Sequence, residues 1–186
     1  MRETTGRTIA SEPKPRRAMH GVTLFELIVV MGIIAILAAI AVPSYKYVTT
    51  SNRIAAEING LLGDLQFARS EAIKEGVSVQ VCVSTDGASC ATGINSNDWQ
   101  NGWIVLAPGI TAPLRAQSAF TSTDTLVANH SVSAITFNRE GFATGVPASE
   151  VLTLHAATPT STSTRCLTVQ LIGLMAVQGY DGATCT

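Results

Sequence analysis

The sequence predicts an α+β protein, with a long N-terminal α-helix packed on a small antiparallel β-sheet head. The first observation is an uninterrupted apolar run near the N-terminus, and the second is a helical pattern of apolar residues that follows it. The third is a series of short, alternating apolar segments over the rest of the chain, with no strand–helix–strand alternation. A helix followed by consecutive strands is typical of α+β folds.

The apolar run is long enough to cross a membrane. Residues 27–42 are sixteen positions without a charged side chain, and extending the run back to Val22 adds only Thr23 and Glu26 as interruptions. Twenty-one helical residues rise about 30 Å, which matches the hydrocarbon core of a bilayer. Because every face is apolar, the segment is not an amphipathic core helix.

Charge sets the expected orientation of this segment. Residues 1–20 carry five Lys/Arg and two Asp/Glu, whereas the remaining 166 residues carry seven Lys/Arg and eleven Asp/Glu. Basic residues flank the cytoplasmic side of membrane helices. We therefore expect a single membrane pass, with residues 1–20 in the cytoplasm and the C-terminal body on the other side of the membrane.

Glu26 separates two interpretations of this segment. A plain secretory signal peptide fits the basic leader, the apolar run and a small-x-small site at residues 39–41. A carboxylate inside an apolar segment is costly, however, and calls for a partner. Cleavage after Gly21 would supply one, because Glu26 would then be the fifth residue, on the same helical face as the new amine of Val22.

The residues GVTLFELIVV resemble the type IV prepilin motif, in which a glycine precedes the cleavage site and a glutamate is the fifth mature residue. Pro43 matches a proline that this family commonly carries at the twenty-second mature position, whereas Val22 departs from the usual Phe or Met. The resemblance implies cleavage between Gly21 and Val22 by the prepilin peptidase and N-methylation of Val22. It also implies that Glu26 is the carboxylate of filament assembly, with other subunits as partners through the N-terminal helix. Met19 is a second candidate start for the chain.

Beyond Pro43 the helix is expected to become amphipathic and to end at Glu75, with Gly76 as its C-terminal cap. Apolar residues recur at steps of three and four: Ile54, Ile58, Leu61, Leu62, Leu65, Ala68 and Ala72. This spacing places one apolar stripe on the head. The charged residues fall mostly on the other face: Arg53, Glu57, Asp64, Arg69, Glu71 and Lys74.

The head is predicted to consist of short strands joined by turns and polar loops. Alternating valines mark a strand at 77–83, and further strands are expected at 103–107, 134–137, 151–155, 166–172 and 174–177. Turns are expected at 85–87, 138–141 and Gly173. Residues 88–98, 108–118 and 158–164 are predicted surface loops.

Two segments of the head carry a second resemblance. The residues FARSEAIKEGVSVQVC and WQNGWIVL look like minor pilins of the FimT type, which share a head with protein H (GspH) of type II secretion systems. FNREG and RCLTVQLIG also fit this pattern, so that the resemblance spans residues 20–180. It implies two small β-sheets beside the helix. The expected domains are a leader at 1–21, a transmembrane helix at 22–42, an amphipathic periplasmic helix at 43–76 and the head at 77–186.

Four cysteines predict disulfides, because the head is expected outside the cytoplasm. Cys82 and Cys90 lie eight residues apart, and Cys166 and Cys185 lie nineteen apart. We pair them in this way, although four cysteines allow three connectivities. No CxxC or HxxxH spacing favours a metal site, and no cofactor is expected.

No catalytic motif stands out in the sequence, so that an enzyme is not expected. His155 lies in a predicted strand, where a structural role is more common than a catalytic one. The leading interpretation is a minor pilin or pseudopilin, a structural subunit of a type IV pilus or a type II secretion pseudopilus, involved in filament priming and protein secretion. A plain exported protein is a further alternative.

A pilus-borne receptor for DNA uptake is the other function considered. FimT-type members with that role carry a Gly-Arg-x-Arg stretch, but the matching positions 173–176 read GLMA here. After Pro43 the chain has seven Lys/Arg against ten Asp/Glu, without a basic cluster. Since phosphate binding needs clustered cations, nucleic acid is not expected as a partner.

Overall fold

The computed structural model describes residues 22–93, 96–157, 163–182 and 185. Contacts divide the chain into two units, Met1–Pro43 and Ser44–Thr186. Within the described residues, one α-helix, one short 3-10 helix (Trp99–Asn101) and nine strands occur. The α-helix and the strands are, in chain order, α1 Leu24–Glu75, β1 Val79–Val83, β2 Gly102–Leu106, β3 Arg115–Ser118, β4 Thr125–Ala128, β5 Ala134–Phe137, β6 Ala143–Thr144, β7 Ser149–His155, β8 Thr164–Gln170 and β9 Met175–Gly179. The expected α+β class, a long N-terminal helix with antiparallel sheets, is confirmed.

In the described part of the first unit, the chain forms an apolar helical segment with no buried residue. Every residue from Val22 to Val42 is exposed, including large side chains such as Phe25 and Ile40. The helix is long and apolar enough to span a membrane. Apolar surface of this extent on every face needs lipid or other apolar helices around it, because water disfavours it.

The strands of the second unit form two antiparallel sheets. The first sheet has the order β3-β2-β1-β5-β6, and the second has the order β4-β7-β8-β9. In the first sheet Val81 lies opposite Val105 on one side and Ile135 on the other. In the second, Leu152 lies opposite Leu167. Each of these apolar pairs faces the same side of its sheet and supplies one layer of the core.

The apolar stripe of α1 joins both sheets in one hydrophobic core. Its fully buried residues are Ile54, Ile58, Leu61, Leu65, Ala68 and Ala72. The first sheet contributes Val79, Val81, Val83, Trp103, Val105, Ile135 and Phe137, and the second contributes Leu126, Leu152, Leu154, Leu167 and Val169. The predicted stripe is therefore the face that packs on the head, with Leu62 at its partly buried margin.

Several predicted boundaries differ from the structure. Residues 115–118 form edge strand β3 rather than part of a surface loop, and β4 and β6 were not predicted. The turn at 138–141 joins β5 to β6, closed by a 2.8 Å hydrogen bond from the N–H of Gly141 to the carbonyl of Asn138. Residues 158–162 of the predicted loop lie outside the described residues.

Candidate functional site

The N-terminal end of α1 begins with a capping arrangement that includes Glu26. Thr23 precedes the helix, and its Oγ1 accepts a hydrogen bond of 3.2 Å from the backbone N–H of Glu26. The order Thr-x-x-Glu is that of a capping box, and an acid in the first turn also interacts favourably with the helix dipole. The local sequence therefore fixes where the helix starts and sets Glu26 one turn inside it.

The carboxylate of Glu26 has no ion pair or side-chain hydrogen bond among the described residues. Its neighbours Phe25 and Leu27 are exposed apolar side chains. If this surface is surrounded by lipid or other helices, the carboxylate needs a cationic partner from elsewhere. Gly21 lies outside the described residues, and Val22 is exposed at their start.

The second half of α1 is fastened to the head by charged side chains along one flank of the apolar stripe. Near its start, Arg53 donates two hydrogen bonds to Asp124, from Nε at 2.7 Å and from Nη2 at 2.9 Å. The side chain of Asp124 is fully buried and also accepts the N–H of Ala157 at 3.1 Å. Burial alone would raise the pKa of Asp124, but these hydrogen bonds outweigh it and hold that pKa below its usual value.

About three helical turns further on, Asp64 contacts the first sheet. Its carboxylate accepts the indole N–H of Trp103 at 2.8 Å and Nη1 of Arg115 at 3.0 Å. The guanidinium of Arg115 also lies 3.9 Å from the centre of the Phe67 ring. The buried indole N–H of Trp103 and the partly buried carboxylate of Asp64 therefore both have hydrogen-bond partners. This lowers the free-energy cost of removing these groups from water.

Arg69 fastens the other flank of the stripe. Its Nε donates to the carbonyl of Gly141 at 2.9 Å, and its Nη2 lies 3.4 Å from the carbonyl of Ile172. These carbonyls belong to the β5–β6 and β8–β9 turns. The expectation that the charged residues of α1 face mostly away from the head is thus wrong for Arg53, Asp64 and Arg69, because they border the stripe and reach the strands beside it.

Glu57 is the carboxylate on α1 that burial perturbs most clearly. Its Oε2 is buried and has no hydrogen-bond partner in the described part of the chain, and its Oε1 lies 3.9 Å from Nε of Arg53. Burial and the nearby charge of Asp124 raise the pKa of Glu57 to about 7, although Arg53 opposes the shift. A carboxyl in this position is more easily protonated in the folded protein than in the unfolded chain.

This perturbation predicts a pH-dependent stability. The folded state binds the Glu57 proton more tightly than the unfolded state, so the stabilising contribution is complete below the unfolded pKa near 4.5 and is lost as the pH rises to about 7. We expect Glu57→Gln to stabilise the protein at pH 8 by about 2 kcal/mol and to remove much of this pH dependence. Urea unfolding of the full-length protein in non-ionic detergent at pH 5 and pH 8 measures both effects.

Glu75→Gln is the control for the Glu57 variant, because Glu75 is an exposed residue at the end of the same helix. It should leave the difference between pH 5 and pH 8 as in the native protein. If Glu57→Gln is not more stable than the native protein at pH 8, the conclusion that burial raises the pKa of Glu57 is contradicted.

Two disulfides close loops on the two sheets. Cys82 of β1 is bonded to Cys90, and Cys166 of β8 is bonded to Cys185, the same pairs that the sequence analysis chose. Cross-links of this kind stabilise by restricting the unfolded chain, by about 3 kcal/mol for loops of such length.

The histidines outside the leader have structural partners. His130 Nδ1 lies 3.0 Å from a carboxylate oxygen of Glu150, whose side chain is fully buried, and His155 Nδ1 lies 3.2 Å from Oγ1 of Thr164. No group of three or more His, Cys, Asp or Glu residues with a metal-binding arrangement occurs in the described part of the chain. These arrangements explain the two histidines without a catalytic role.

Four basic residues of the second unit lie close to acidic side chains. Within the described residues, Arg53, Lys74, Arg115 and Arg139 each lie beside a carboxylate. The segment 173–176 supplies a turn and the start of β9. The charge of these four cations is therefore compensated within the protein and is not free for a phosphate backbone.

Comparison with protein families identifies the chain over most of its length. Residues 57–173 match the family described as type II transport protein GspH. This range includes the α1 stripe from Ile58 onward, all of the first sheet and most of the second.

The chain belongs to the GspH family. Residues 16–42 also match the prokaryotic N-terminal methylation motif, which covers Gly21, Val22 and Glu26. The chain is therefore a pilin-like structural subunit of the minor pilin and pseudopilin class, as its two sequence resemblances imply.

Two solved structures are similar to this GspH-family fold. Both are crystal forms of the type IV minor pilin FimU of Pseudomonas aeruginosa strain PAO1. The first is 24% identical over 73% of this chain and 93% of that chain, with a TM-score of 0.55. The second is 25% identical over 68% of this chain and 91% of that chain, with a TM-score of 0.51. The first comparison supports the fold, and the second agrees with it.

The spacing of Thr23 and Glu26 is that of a capping box, a feature of the site that the sequence contains and that we did not predict. The contact between Asp64 and Trp103 is not visible in the sequence in this way. Asp64 and Trp103 are 39 positions apart, and their contact depends on the register between α1 and β2. No local pattern encodes that register.

Proposed function

We propose that the protein is a minor pilin or pseudopilin that waits in the inner membrane, with its head in the periplasm, and then enters a type IV or type II secretion filament. The observation that carries the proposal is an exposed apolar helical segment with a carboxylate in its first turn that has no charged partner among the described residues. Membership in the GspH family and the methylation motif support it. The two disulfides are consistent with an oxidising compartment for the head.

In this proposal the prepilin peptidase cleaves between Gly21 and Val22, and Val22 is then N-methylated. The new amine lies four residues before Glu26, or meets the Glu26 of a neighbouring subunit. An ion pair in apolar surroundings is costly to break, so only one axial stagger of the helices leaves both charges compensated. Pro43 lies inside α1 at the end of the apolar segment, where its missing N–H gives the helix a point of adjustment.

The mature N-terminus tests the processing step. We expect mass spectrometry of the protein purified from its own membrane to find a chain that begins with N-methylated Val22. The variant Gly21→Leu should keep residues 1–21, because a bulky side chain replaces the small residue at the cleavage position. A native chain that retains its leader, or one that begins at Val42 after removal of the apolar segment, would contradict the proposal.

A further inference from the structure

A groove on the head lies beside Arg69. It has a volume of about 390 Å³ and lies between α1 and the β8–β9 turn. Its lining residues are Gln66, Arg69, Ser70 and Ile73 of the helix and Gly173, Leu174 and Met175 of the turn and strand.

Four large apolar side chains at and beside the groove are exposed. Ile73, Phe142, Ile172 and Leu174 are 52%, 46%, 57% and 53% exposed. They lie together, because Gly141 and Gly173 pack on one another and on Arg69, next to Ile73. A contiguous group of large apolar side chains with a polar border is typical of a protein interaction surface rather than of scattered surface residues.

Arg69 supplies the charge of the groove. Its partners are the carbonyl oxygens of Gly141 and Ile172, and no carboxylate pairs with it among the described residues. By contrast, both ion pairs along the other flank of the helix are complete. Arg53 pairs with Asp124, and Asp64 pairs with Arg115 of β3. The two carbonyls hold the guanidinium at the groove, while its formal charge remains without a counter-ion.

We propose that this groove docks a segment of another protein that presents an acidic side chain between aliphatic ones. The carboxylate pairs with Arg69, and the aliphatic side chains cover Ile73 and Leu174. A guanidinium that is already oriented by two carbonyls loses little freedom on binding a carboxylate, which favours this partner chemistry. The inference goes beyond the proposed filament role, because it concerns only the surface of the head and does not require Glu26.

Site-specific photo-crosslinking of the full-length chain in its own cells tests the proposal. The photoreactive amino acid p-benzoylphenylalanine replaces Ile73, and mass spectrometry maps the segment that it captures. We expect one discrete segment of another protein, with Asp or Glu next to Leu, Ile or Val. The same probe at Ile110, an exposed apolar residue near Glu71 on the other flank, should not capture that segment.

A pair of variants at Leu174 then tests the charge. Leu174→Glu and Leu174→Lys remove the same apolar side chain from an exposed position, so both leave the core intact. We expect Leu174→Glu to lower the yield of the cross-link at least about tenfold and Leu174→Lys to lower it much less, because only the former repels a carboxylate. Equal losses in the two variants would overturn the acidic partner. Capture of lipid, nucleic acid or a second copy of this chain, or no capture, would overturn the docking proposal.

Discussion

Gly173→Ala is expected to destabilise the head by about 3 kcal/mol or more. Gly173 has a φ of +77°, a conformation that disfavours any side chain, and a Cβ atom at this position would overlap the backbone carbonyl oxygen of Gly141. That oxygen cannot move away easily, because it accepts the hydrogen bond from Nε of Arg69. The variant therefore strains the backbone and separates two turns from α1 at the same time.

Gly109→Ala is the matched control for this variant. Gly109 has a nearly equal φ of +79°, but a Cβ atom there would meet nothing within 4 Å. It should cost about 1 kcal/mol from the backbone conformation alone. Urea unfolding of the full-length protein in detergent, followed by the fluorescence of the buried Trp99 and Trp103, measures both variants. Equal losses would show that the packing of the two turns contributes little.

Glu26→Ala is expected to leave membrane insertion intact and to prevent entry into the filament. In the proposed filament the amine of a neighbour's Val22 would lose its partner inside apolar surroundings. Breaking such a buried pair costs about 3–5 kcal/mol, which corresponds to a loss of roughly a hundredfold or more in incorporation. Quantitative immunoblots of sheared filaments and of membranes separate the two steps.

Ile28→Ala is a suitable control for the Glu26 variant. It removes an exposed apolar side chain from the same region of the helix and leaves the carboxylate in place. Incorporation should fall only slightly, in proportion to the lost apolar contact. Normal incorporation of Glu26→Ala would refute the axial-register argument, whereas absence of that variant from the membrane would place the role of Glu26 in insertion.

The parts of the fold that the sequence predicted are those with a strong local pattern. The stripe on α1 repeats every three to four residues over five turns, and the residues of β5 and β7 alternate in burial along their length. By contrast, all four residues of β3 are exposed, so no alternation identifies it. β6 has only two residues and owes its pairing to the turn after β5. Strands of this kind form because an adjacent strand provides backbone hydrogen-bond partners. The periodicity of the sequence gives no information about such pairing.

The candidate site also has one part that the sequence predicted and another part that it did not. The motif around Gly21 and Glu26 is contiguous, so the sequence alone identifies it. The contacts of Asp64 and Arg69 join positions separated by 39 to 103 residues, and they depend on how the helix sits over the sheets. The unusual position of Glu57 has the same origin, because Asp124 approaches it from a distant loop.

The three attachments of α1 to the head have a mechanical consequence. Hydrogen bonds join the helix to three different parts of the head, through Arg53, Asp64 and Arg69. Arg53 and Arg69 are about 24 Å apart along the helix. A force along the helix axis would act on these three contacts and on the apolar stripe between them at the same time. Rupture would then require them to fail together, so the arrangement suits a subunit whose helix bears tension while its head stays attached.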